Sequence, residues 1–125
     1  MISNCGCNNS SPIYKKLAQS DSVVINFNEQ GTNNIVKTIS TTESIAIKKL
    51  SGFIDTKASP AYKCGYDGNM LFYRNGALDA DVSFNYSGEG CRHFIQIIAG
   101  QISSTGMENE AADFLKSLAE GRSWY

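Results

Sequence analysis

Proline, histidine and tryptophan are scarce in this 125-residue chain, at two, one and one. With so little proline beside 42% apolar and 10% aromatic residues, a buried core is within reach and wholesale disorder is not the default. A surplus of positive charge is also missing. Eleven basic residues against twelve acidic ones give a net charge of −1 with no basic stripe, which excludes the electrostatic footprint of a nucleic-acid binder. No apolar run approaches the roughly 20 residues of a bilayer-crossing helix, so no transmembrane segment is expected. The glycines form neither G-x-x-x-x-G-K-[ST] nor a strand-to-helix G-x-G-x-x-G; Gly65, Gly68, Gly88 and Gly90 read as bulge and turn residues.

What is present fits one domain over residues 12–125, preceded by a polar tether. Four cysteines fall into two groups, Cys5 with Cys7 and Cys64 with Cys91. Cys5-Gly6-Cys7 lacks the second ligand pair of a closed metal site. The segment Met1-Ile2-Ser3-Asn4-Cys5-Gly6-Cys7, followed by Asn8-Asn9-Ser10-Ser11, reads instead as the remnant of an export signal. It resembles the cleavage region of bacterial lipoproteins, which makes Cys5 and Cys7 candidates for lipid attachment. Cys7 has a small residue before it but no leucine three positions upstream, and neither a basic n-region nor an apolar h-region is visible. A front trimmed away and a start at an internal methionine are the two explanations.

Pro12 opens a short helix through Ala18. Residues 22–28 and 34–39 are rich in β-branched residues, and the turn chemistry of Glu29–Asn33 joins them as a hairpin. Ser40-Thr41-Thr42-Glu43 has the spacing of a capping box, and Ala46, Ile47, Leu50, Phe53 and Ile54 then recur at helical period, with Ser51 off the stripe. Alternation predicts strands over 62–74 and 78–86, the second burying Leu78, Ala80, Val82, Phe84 and Tyr86. Cys91–Ala99 reads as a third strand of this group and Gln101–Ser103 as a short fourth. Thr105-Gly106-Met107-Glu108 is a second capping-box spacing, before a helical stripe of Met107, Ala111, Phe114, Leu115 and Leu118. The expected class is α+β, an antiparallel sheet with two main helices on one face, in the order β-β-α-β-β-β-(β)-α.

Asn75-Gly76 suggests a two-residue turn, but uniform pairing from that turn sets Phe72 against Asp79 and Met70 against Asp81. A three-residue loop pairs Phe72 with Leu78 and Met70 with Ala80, and is the register expected here. It sets Cys64 level with Tyr86, so Cys64 and Cys91 meet at one end of the sheet. A regular ladder would leave their Cα atoms about 9–10 Å apart, beyond the roughly 7 Å limit for a bridge. A Cys64–Cys91 disulfide, the reading that export favours, therefore needs the chain to curl at Gly65 or Gly90.

Candidate chemistry is sparse. Asp79 and Asp81, with Asp67 and Asn69 nearby, offer carboxylates to a hard cation, but no looped ligand series accompanies them and a solvated face is the simpler reading. His93, beside Arg92, has no second ligand; its one nucleophile pairing is with Cys64 or Cys91, which a disulfide would remove. No cofactor or metal is expected. Lys63-Cys64-Gly65-Tyr66-Asp67-Gly68 and Cys91-Arg92-His93-Phe94 resemble segments of small uncharacterised bacterial cell-envelope proteins, a resemblance of pattern that supplies no activity.

The expectation is thus a non-enzymatic, extracytoplasmic binding protein, periplasmic or outer-envelope, whose partner is a protein or small ligand. Its interaction face would comprise Leu71, Tyr73, Asp79, Asp81, Arg92, Phe94, Gln96 and Ile98, with Asp67, Asn69, Asn85 and the aromatic tail Arg122-Ser123-Trp124-Tyr125 as further contributors. The alternatives are a thiol- or metal-dependent activity using Cys64, Cys91 and His93, and an intracellular structural subunit.

Overall fold

The computed structural model describes residues 12–60 and 64–121. The tether with Cys5 and Cys7, part of the expected strand over 62–74, and residues 122–125 lie outside the described residues. The elements are α1 (Pro12–Ala18), β1 (Ser22–Asn28), β2 (Ile35–Thr41), α2 (Ser44–Ile54), β3 (Gly68–Arg74), β4 (Ala77–Asn85), β5 (His93–Ile98), β6 (Gln101–Gly106) and α3 (Asn109–Ala119). Six strands form one antiparallel sheet in the order β2-β1-β3-β4-β5-β6, so the chain is α+β as its alternating strands and amphipathic helices imply.

One face of the sheet carries the core. Val23, Ile25 and Phe27 of β1, Met70 and Phe72 of β3, Ala80, Val82 and Phe84 of β4 and Phe94 of β5 are buried there. Leu17 of α1, Ile47, Leu50 and Ile54 of α2, and Ala111, Leu115 and Leu118 of α3 pack onto them. Phe72, Phe84 and Phe94 are completely enclosed, and each contributes about 1.5–3 kcal/mol of apolar burial. Gly68 marks a close approach between strands, where a Cβ would collide with the Asn26 carbonyl and the Phe84 ring.

Both capping-box expectations are corrected. Strands β2 and β6 run on through Thr41 and Gly106, so Ser40 and Thr105 belong to sheet ladders rather than to helix starts. The residues preceding α2 and α3 are Glu43 and Glu108, and neither caps with its side chain. Thr41 Oγ1 accepts from the Glu43 amide at 3.0 Å, while buried Thr105 donates to the Ile54 carbonyl at 2.7 Å. The latter bond satisfies an open carbonyl of the last turn of α2. Ser51 is fully buried on the packed side of α2, where its hydroxyl returns to the Ile47 carbonyl at 2.7 Å.

The β3–β4 register differs from the expected one. Arg74 pairs with Ala77 and Tyr73 with Leu78 across a two-residue turn, with Asn75 at φ 53° and Gly76 at φ 81°. One step further Phe72 pairs with Ala80 and Met70 with Val82, because Asp79 is an extra residue bulged out of β4. The demand that apolar partners share a face is met, by a bulge inside the strand rather than a longer loop. As a result Leu78 lies on the far face and is 53% exposed.

Candidate functional site

On the face turned away from the helices, every second residue of each strand is displayed. The register aligns Ser40, Val24, Leu71, Asp81, Ile97 and Ile102 into a single row across all six strands. At normal strand spacing that row spans about 24 Å. Ile97 is 45% and Ile102 72% exposed, and Val24, Leu71 and Asp81 are half-buried. Beside it lies a polar row in which Thr38 donates to Asn26 Oδ1 at 2.7 Å, Asn26 to Asn69 Oδ1 at 3.1 Å, and Asn69 to Asp81 Oδ1 at 3.3 Å. This ladder fixes the orientation of the Asp81 carboxylate.

No lysine or arginine among the described residues forms an ion pair with Asp81. Lys37 turns to the helical side and donates to the Ala119 carbonyl of α3, and Arg74 donates to Gln19 Oε1. The one ion pair among the described residues, Lys16 with Asp79 at 3.4 Å, also lies on the helical side.

The set expected from the sequence is therefore divided. Leu71, Tyr73 and Asp81 do share the open face. Phe94 and Gln96 do not: opposite Phe84 and Val82, they are fully buried beneath the helices. Ile98 lies opposite Ala80 against the core, and the bulge turns Asp79 toward α1. Arg92 lies beside α3, its guanidinium donating to the Tyr86 carbonyl at 2.8 Å and to Asn109 Oδ1 at 3.1 Å. Gln96 tolerates burial because its amide donates to Thr105 Oγ1 at 2.6 Å and accepts from Ser103 Oγ at 2.8 Å.

Cys64 and Cys91 are joined by a disulfide with their Cα atoms 6.1 Å apart. Cys64 precedes β3 rather than standing in the ladder, and Gly65 and Gly90 both take positive φ, so the chain curls at both glycines, where a curl at one or the other was expected. Asn85 is buried at this end and donates to the Gly65 carbonyl at 3.0 Å. Asp67 accepts from the Tyr86 and Ser87 amides at 2.8 and 3.0 Å, a local clamp on the turn. His93 Nδ1 donates to the Cys91 carbonyl at 2.7 Å, leaving Nε2 to face the Tyr66 hydroxyl at 3.4 Å. Burial raises the pKa of Tyr66; burial and then the charges of Asp67 and Glu120 raise that of Tyr86. His93 is fully enclosed and both sulfurs are oxidised, so this corner presents no thiol.

Among the described residues no three His, Cys, Asp or Glu side chains converge as a metal site. A hollow of about 610 Å³ between the helices mixes Lys48 and Lys49 with Asp55, Glu108 and Glu110.

Comparison with protein-family models, curated proteins and solved structures finds no match.

The sequence reading missed Val24, Ile95, Ile97 and Ile102. Val24 was legible from the alternation of β1. Ile95 and Ile97 were not, because Phe94-Ile95-Gln96-Ile97-Ile98 is apolar in either parity and its one polar residue faces inward.

Proposed function

We propose that this protein is a non-enzymatic, extracytoplasmic binding protein that holds a protein partner on the open face of its sheet. The observation carrying this reading is the row of Val24, Leu71, Ile97 and Ile102, aliphatic residues aligned on the face opposite the core. Isolated exposed apolar residues need no explanation, whereas an aligned set on a flat face is what a macromolecular contact uses. A small ligand would call for a concave, enclosing site. The Cys64–Cys91 bridge supports an oxidising compartment, and the lipoprotein-like Cys5-Gly6-Cys7 segment agrees with export. Lipid attachment at Cys5 or Cys7 belongs to the same proposal.

Site-specific photo-crosslinking in the intact producing cell tests it. A photoreactive residue at Tyr73 or Ile97 is expected to form a discrete protein adduct that a Leu71→Asp substitution in the same row removes while the thermal transition persists. The same residue at Lys48, exposed on α2, is expected to give none. Equal adducts from Lys48, or none from the open face, would overturn the proposal.

A further inference from the structure

Among the described residues, the Asp81 carboxylate on the open face has no cation in ion-pairing reach. Asp81 is at the centre of the row, with Leu71 and Val24 on one side and Ile97 and Ile102 on the other. Among the described residues its one hydrogen-bond partner is the Asn69 amide, so covering the face would strip water from a carboxylate whose charge no described residue neutralises. Any stable occupant must bring the opposite charge.

We infer that the occupant is an amphipathic helix of a partner protein that presents a single arginine or lysine within its aliphatic stripe. This rests on the docking reading above and adds the partner's charge and spacing. Side chains three and four residues apart on a helix recur every 5–6 Å, against about 4.8 Å between strands. An aliphatic–cation–aliphatic stripe therefore follows the order Leu71, Asp81, Ile97, with the cation over Asp81. A second copy of this chain is disfavoured. A two-fold face-to-face pairing about the middle of the sheet would bring two Asp81 carboxylates together across sheets about 10 Å apart, neither of them paired to a described cation of its own chain. An anionic lipid surface is disfavoured by the sign of the same charge.

Two synthetic helical peptides of about 16 residues, long enough to span the row, test the inference. They are identical apart from a central Arg or Glu in the leucine stripe, and are titrated into isotopically labelled protein followed by NMR. The Arg peptide is expected to shift the amide signals of Leu71, Asp81 and Ile97 and to bind at least about tenfold more tightly than the Glu peptide. Asp81→Asn is expected to erase that preference and Asp81→Lys to reverse it, both variants keeping the native spectrum elsewhere. Equal binding of both peptides at this face would overturn the inference and leave the docking reading standing. Shifts confined to the helical layer, or no binding, would overturn it too, as would concentration-dependent shifts of the same row without peptide, or preferential binding to phosphatidylglycerol vesicles. The docking reading itself falls only on the crosslinking result.

Discussion

Lys16 Nζ stands 3.4 Å from Asp79 Oδ1, a contact that exists because β4 holds one residue more than the stretch of β3 it pairs with. The bulge turns Asp79 out of the ladder toward α1 and restores Ala80, Val82 and Phe84 to the core face.

Single-residue deletions in β4 expose this logic. Removing Asp79 straightens the ladder while keeping Phe72 opposite Ala80, so the fold is expected to survive with a loss of no more than about 1–2 kcal/mol. Removing Asp81 also absorbs the bulge, but it slides Asp79 into the core opposite Phe72, at a cost upward of about 3 kcal/mol. Urea denaturation of the two deletion variants checks the order; equal losses would mean that the bulge does not set the register.

Substitutions on the two faces of β4 are expected to diverge in the same way. Phe84→Asp puts an unpaired charge at a completely buried position and is expected to unfold the domain at room temperature. Asp81→Ala, on the open face, is expected to change stability by less than about 1 kcal/mol. Circular dichroism melts of both variants decide whether the faces are assigned correctly.

The Cys64–Cys91 bridge closes a loop with a sequence separation of 27. In the chain-entropy description a loop of that length contributes about 3.5 kcal/mol. Cys64→Ser/Cys91→Ser is expected to lower stability by roughly that amount, and alkylation of unreduced, denatured protein is expected to leave both positions unlabelled. Labelling of both in material from an oxidising compartment would contradict the bridge.

Alkaline pH is expected to weaken the fold through Tyr86. Its pKa is raised above the ordinary value of 10.0, by burial first and then by Asp67 and Glu120. The folded state therefore holds the phenolic proton after the unfolded state has released it. This contribution to stability is fully present below about pH 10 and is lost as pH rises toward the folded-state pKa. Tyr86→Phe is expected to flatten the fall in urea midpoint between about pH 9 and 11, measured with Cys5 and Cys7 replaced by serine to prevent thiol exchange. An unchanged slope would assign the alkaline loss to other groups.

The sequence by itself determined the α+β class, the first hairpin, the packed stripe of α2 and the meeting of Cys64 with Cys91, because period, turn chemistry and glycine placement are local properties of the chain. The capping-box spacings were equally local, yet they misled. Ser40 and Thr105 have long-range strand partners, in Val24 and Phe94, and such pairing outweighs a cap worth about 1 kcal/mol. Tertiary structure alone decided which side chains of β5 face out. In that strand Phe94, Ile95, Ile97 and Ile98 fit either face, and Gln96 can be buried only because Ser103 and Thr105 on the neighbouring strand satisfy its amide. The row around Asp81 is likewise a product of register: its six members come from six strands, and only the hydrogen-bonded ladders bring them into line.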